Sequence, residues 1–113
     1  MASLYFNPAC SKCRTAQSLL AEAGVEAELV RYLDAAPTVG DLRGLMAMLG
    51  IVDPREMIRT GEAVYAELGL AAASGEDLLR AVAAHPILLE RPIFVVDGRA
   101  VIARPPERVR ELL

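Results

Sequence analysis

The chain has 113 residues, the size of one domain and too short for two full ones. At that length it buries roughly two-thirds of its unfolded surface, so no disulfide scaffold or structural metal is required. Twelve basic residues against 15 acidic ones leave a net charge of -3, which argues against a generic DNA or RNA footprint.

The apolar fraction of 54% is carried largely by 19 alanines, and aromatic residues are few. The basic residues are 11 arginines and a single lysine, Lys12. Guanidinium forks are therefore available wherever an oxyanion must be held. The N-terminus has no basic segment followed by an apolar core and a cleavage site, so no signal peptide is expected. No apolar run approaches the ~18 residues of a membrane span. A cytoplasmic protein is expected, with neither membrane nor nucleic acid among its partners.

Residues 2 to 6 read as a strand ended by Asn7-Pro8. Residues 11 to 23 place Ala16, Leu19, Leu20 and Ala23 at helical spacing, and Gly24 closes that helix. Residues 26 to 31 alternate and predict a second strand. The result is a β-α-β unit with two cysteines at its strand-to-helix turn. The middle of the chain is helical. Thr38 with Asp41 resembles a capping box ahead of Leu42, Leu45, Met46 and Leu49, and Gly50 stops the run. Asp53, Pro54 and Glu56 start a short second helix; Ser74 and Asp77 start a third, which ends before Pro86. Residues 93 to 96 form a β-branched and aromatic run, Asp97-Gly98 is a hairpin turn, and residues 100 to 102 return. Pro105-Pro106 opens a final helix.

A β-α-β unit demands a parallel strand pair, and the hairpin adds an antiparallel one. The predicted fold is α/β, with a four-stranded mixed sheet. This is a thioredoxin-like arrangement over residues 1 to 113, a single domain with a helical insertion at about 37 to 85.

The two cysteines stand three apart in Cys10-Ser11-Lys12-Cys13. A zinc site needs four ligands, and after these two only His85 remains of the usual types, so no metal is expected. Cys13 alone could be a small buried hydrophobe. The redox reading rests on position. Cys10 lies at the N-terminal edge of a helix, where free N–H groups and the macrodipole favour an anion. Lys12 and Arg14 are expected to add positive charge. An ordinary thiol is only about 3% ionised at pH 7; lowering its pKa by ~2 units takes about 2.7 kcal/mol and makes it mostly thiolate. Cα atoms at i and i+3 on a helix are ~5 Å apart, within the roughly 4.4–6.8 Å that a disulfide needs. Cys10 is the expected attacking thiolate and Cys13 the candidate resolving thiol.

Motifs spread over nearly the whole chain carry a resemblance to a known family. They are Asn7-Pro8-Ala9-Cys10, Tyr32-Leu33 with Pro37-Thr38, and Ile58-Arg59. Further along come Tyr65-Ala66-Glu67-Leu68-Gly69-Leu70, His85-Pro86-Ile87-Leu88 with Arg91-Pro92-Ile93, and Ala103-Arg104-Pro105. In this order the chain resembles the glutaredoxin-coupled arsenate reductase family, of the ArsC type. The resemblance implies an oxidoreductase of arsenic resistance in which Cys10 forms a thiol-arsenate adduct. It implies that Arg59, Arg91 and Arg104 hold the oxyanion and that Pro92 is cis and faces the cysteine. Planar guanidinium forks would offset the repulsion between thiolate and arsenate through charge-assisted hydrogen bonds worth roughly 1.5–3 kcal/mol each. No cofactor is expected to be bound; glutathione with glutaredoxin, or thioredoxin, is the implied reductant, and the protein is expected to be a monomer.

Two departures bear on this. Many family members have His before Asn-Pro-Ala-Cys, where this chain has Phe6, which removes one source of thiol activation. Many have another residue at the position of Cys13, and a second cysteine shifts the expectation towards an internal disulfide. Two other readings stay open. One is a thiol-disulfide redox protein of the same family with another substrate. The other is a redox-sensing transcription regulator that binds RNA polymerase, whose family shares the fold and a Cys-x-x-Cys at this place. His85 reads as a structural or capping residue, and Met46, Met48 and Met57 as core filler.

Overall fold

The first strand, β1 (Ala2–Tyr5), feeds helix α1 (Ser11–Glu22), and strand β2 (Glu28–Val30) follows, in a computed structural model that describes residues 1–113. Gly24, just past the helix end, has φ +74°, the left-handed conformation that a glycine adopts without a Cβ clash. Three further helices follow: α2 (Val39–Leu49), α3 (Ala63–Glu67) and α4 (Gly75–Ala84). The chain closes with β3 (Ile93–Val96), β4 (Arg99–Ile102) and a 3-10 segment, Pro106–Leu112.

Contacts divide the chain into two compact units, Met1–Tyr32 with Arg91–Leu113, and Leu33–Glu90. The first holds the sheet, in the order β2-β1-β3-β4. β1 runs parallel to β2 and antiparallel to β3, and β3 is antiparallel to β4, so the four-stranded sheet is mixed as the element order predicts. Register aligns Leu4 with Phe94, and Phe94 with Val101, in a row across one face. These side chains are buried with Cys13, Ala16 and Leu20 of α1 and with Val109 of the terminal segment. Two-residue alternation in the strands and helical spacing in α1 thus meet in one apolar layer. Phe6 belongs to the same core. Asp97 and Gly98 have φ of 50° and 77°, as a tight hairpin turn of the primed kind requires.

The second unit is helical. The capping box is present: the Thr38 hydroxyl accepts from the Asp41 N–H at 3.0 Å, and the Asp41 carboxylate accepts from the Thr38 N–H at 3.0 Å. Gly50 ends α2 in the left-handed region. Ser74 accepts from the Asp77 N–H at the start of α4. α4 packs against α2, Pro54–Met57 and Pro86–Leu88, burying Leu78, Leu79 and Val82 with Leu42, Leu45 and Leu88. Met57 is fully buried, whereas Met46 and Met48 are half-buried, so only the first of the three is core in the full sense. The Arg55 guanidinium donates to the carbonyls of Leu70, Ala71 and Ala73 and to the Tyr65 hydroxyl, tying the loop after α3 to the Pro54–Met57 turn.

Three expectations change. The second short helix is a 3-10 turn, and so is the final one: hydrogen bonds three residues apart close them, from the Glu56 N–H to the Asp53 carbonyl at 3.1 Å and from the Arg108 N–H to the Pro105 carbonyl at 3.0 Å. Helix α3 was not anticipated. It has no side-chain cap and no buried residue, so neither capping nor periodicity betrays it.

Candidate active site

Topology brings the candidate site residues of the first unit to one end of the sheet. Tyr5, the last residue of β1, pairs with Ile93, the first of β3, and Ile93 pairs with Ile102, the last of β4. The loop leaving β1, the Arg91-Pro92 segment entering β3 and the Ala103-Arg104 segment leaving β4 therefore emerge together. Arg91-Pro92 and Arg104-Pro105 are both cis; the first agrees with what the resemblance implies for Pro92, and the second was not foreseen. The Ala103 N–H donates to the Pro92 carbonyl at 2.9 Å, and the Arg104 guanidinium donates to the Arg91 carbonyl at 3.0 Å.

The loop itself is held by its own short-range hydrogen bonds. The Asn7 side-chain oxygen accepts from the Ala9 N–H at 3.0 Å, and the Asn7 carbonyl accepts from the Cys10 N–H at 2.9 Å. The Arg14 guanidinium reaches back to the Pro8 carbonyl at 2.8 Å. Cys10 occupies the N-cap of α1 with extended backbone, and its side chain makes no capping hydrogen bond. Its sulfur still faces the first N–H groups of the helix. Cys13, one turn on, has no exposed surface, and both thiols are free.

The two thiols differ sharply. Burial acts to raise the Cys10 pKa, but the Cys13 N–H, the Cys13 thiol, the Lys12 N–H and the Arg91 charge outweigh it and hold the thiol below its ordinary 9.0. Cys13 is pushed up to about 11, chiefly by burial, then by hydrogen bonding to Cys10 and repulsion from its negative charge; the Asn7 backbone and Arg91 oppose this only in part. Of the two thiols, Cys10 therefore gives up its proton first, and Cys13 holds its own to higher pH. The expectation for the nearby cations is corrected here. Lys12 acts through its backbone N–H, Arg14 is engaged with Pro8, and the charge that stabilises the thiolate belongs to Arg91.

A pH titration followed by ultraviolet thiolate absorbance should show two steps. The first, from Cys10, has its midpoint below 9.0, and the second, from Cys13, comes at about 11. In Cys13→Ala the first step should move upward, because the thiol that donates to the Cys10 sulfur is gone.

Arg59 lies in the second unit. Its guanidinium meets the Glu62 carboxylate at 2.5 Å and the Glu90 carboxylate at 3.9 Å. The Arg59 N–H donates to the Leu88 carbonyl at 2.7 Å, and a bridge pairs Ile58 with Leu89. Sequence reasoning missed both carboxylates; the i, i+3 spacing of Arg59 and Glu62 was the one signal available. His85 is exposed and links the end of α4 to the Pro86–Leu88 turn, a capping position. No group of three or more His, Cys, Asp or Glu side chains could hold a metal. A cavity of about 440 Å3 lies at the far end of α1, lined by Gln17, Leu20, Gly24 and Val25, and contains none of these site residues. No helix is long and apolar enough to cross a membrane.

Comparison with known proteins places this arrangement. The ArsC family matches residues 5–112. An arsenate reductase of Neisseria meningitidis serogroup A is 44% identical over 112 residues, covering 97% of this chain and 96% of that protein. The uncharacterized protein YfgD of Escherichia coli K12 is 46% identical over 112 residues, covering 97% of this chain. Among solved structures, the arsenate reductase from Vibrio cholerae superposes with a TM-score of 0.96 at 41% identity, covering 99% of this chain and 97% of that one. Matched by the family model over residues 5–112 and by relatives along nearly its whole length, the chain belongs to the ArsC family.

Proposed function

We propose that the protein is an arsenate reductase with Cys10 as nucleophile and a thiol as electron donor. The observation that carries this reading is the coupled pair at the start of α1: a thiolate-favouring Cys10 against a protonated, buried Cys13, with the Arg91 charge acting on both. Similarity to named arsenate reductases over the full chain supports the substrate.

In this mechanism Arg91, Arg104 and Arg59 bind the oxyanion through guanidinium forks and offset the repulsion between two anions. The Cys10 thiolate bonds to arsenic, and one arsenate oxygen leaves, protonated, as water; arsenic remains pentavalent. A second thiolate then attacks the Cys10 sulfur. As the sulfur–sulfur bond forms, the sulfur–arsenic electron pair moves onto arsenic, which departs as trivalent arsenite. Cys13 is suited to be that second thiol. Once Cys10 is bonded to arsenic, its negative charge no longer raises the Cys13 pKa, so one of the obstacles to ionising Cys13 falls away at the step that needs it. The disulfide is reduced by thioredoxin, or by glutathione with glutaredoxin.

The test supplies purified protein with arsenate and each donor system in turn, and measures arsenite. Production with at least one donor supports the reading; none with any donor overturns it. The Cys13→Ser variant refines it. Oxidised wild-type protein should be two hydrogens lighter by mass spectrometry, and Cys13→Ser should lose turnover with thioredoxin while keeping some with glutathione, which attacks the Cys10 adduct from outside. If the mass changes only by addition of glutathione, Cys13 is a structural residue.

A further inference from the structure

The geometry points to Glu62, supported by Glu90, as an internal anion that occupies the Arg59 guanidinium and thereby sets the affinity for the oxyanion. This rests on the oxyanion role proposed above for Arg59.

Three observations within the second unit carry it. First, the Arg59 guanidinium contacts two carboxylates, Glu62 at Nη1 and Glu90 at Nε. Second, the arrangement is built by the backbone. The Glu62 N–H donates to the Arg59 carbonyl at 3.1 Å, closing a turn that brings residue i+3 over residue i. On the other side, the Arg59 N–H donates to the Leu88 carbonyl and the Glu90 N–H to the Met57 carbonyl at 2.9 Å, flanking the Ile58–Leu89 bridge. Both carboxylates are thus delivered to the guanidinium by main-chain hydrogen bonds. Third, Glu62 stands at the N-cap of α3, yet its side chain caps no N–H; it is engaged with Arg59 instead. Side chains of all three residues are only 24–30% exposed, so solvent screens these pairs less than it does open surface pairs.

A guanidinium presents a limited set of donors in one plane. One Glu62 oxygen sits on Nη1 and one Glu90 oxygen lies 3.9 Å from Nε, so an oxyanion that takes either of these edges of the Arg59 fork competes with a carboxylate already there. Glu62 is therefore a positioning residue. It keeps Arg59 ordered and weakens every oxyanion that binds there by the worth of the pair it breaks.

The test is calorimetric titration of sodium arsenate into protein carrying Cys10→Ser, which isolates binding from adduct formation. Adding Glu62→Gln, which keeps shape and removes charge, should tighten binding about two- to fivefold, the range expected for breaking one partly screened pair. In the Arg59→Gln/Glu62→Gln double variant that gain should vanish. With Cys10 intact, Glu62→Gln should lower KM for arsenate by the same factor and leave kcat unchanged. Unchanged or weaker binding in Glu62→Gln, while the parent binds arsenate, overturns the clamp and leaves the oxyanion role standing. A gain that persists without Arg59 also overturns it, since that marks a general charge effect. Absence of arsenate binding in every protein overturns both the clamp and the oxyanion reading.

Discussion

Cys10→Ser should abolish arsenate reduction with every thiol donor. A serine hydroxyl is barely ionised at neutral pH and forms no sulfur–arsenic bond, so the first covalent step is lost entirely. Folding provides the control. Cys10 stands at the N-cap of α1 without a capping hydrogen bond, and serine is among the preferred N-cap residues. The variant should therefore be as stable as the parent, or more so by up to about 1 kcal/mol. Arsenite production near the parent rate in a folded Cys10→Ser protein would remove Cys10 from the role of nucleophile. Loss of both activity and structure would be equally informative, because the geometry gives no reason for serine to disturb this turn.

Arg91→Lys should be nearly as damaging as removal of the side chain for substrate binding, although it conserves charge. Arg91 enters β3 through the cis bond to Pro92, its carbonyl is bound by Arg104, and its charge acts on both thiols. Lysine supplies a point charge and no planar fork. Loss of one charge-assisted hydrogen bond of roughly 1.5–3 kcal/mol corresponds to about a ten- to hundredfold weaker arsenate affinity. Because the Arg91 contribution to Cys10 is coulombic, the first step of the thiol titration should move far less than the affinity does. Binding within twofold of the parent would make Arg91 a modifier of the thiol and not a ligand for the oxyanion.

Much of this was legible in the chain alone. Periodicity, Gly24 and Asp97-Gly98 fix the β-α-β unit and the hairpin, because two-residue and helical spacing, and the turns between them, are local properties. The same holds for the Thr38–Asp41 capping box and for the disulfide-range spacing of Cys10 and Cys13. Tertiary structure decided the rest. That Arg91, and not the adjacent Lys12 or Arg14, charges the Cys10 environment follows from antiparallel pairing of Tyr5 with Ile93, a contact between residues far apart in sequence. Sequence proximity misled here, since an exposed side chain next in the chain can point to solvent or bind the backbone, as Arg14 does. The division of roles between the thiols was expected from the place of Cys10 at the helix start; the fold adds its second cause, the burial of Cys13 in the core with Leu4, Ala16 and Phe94, which raises its pKa. Helix α3 and the carboxylates on Arg59 stayed hidden. α3 buries nothing, and the approach of Glu90 to Arg59 depends on the Ile58–Leu89 bridge across thirty-odd residues of intervening chain.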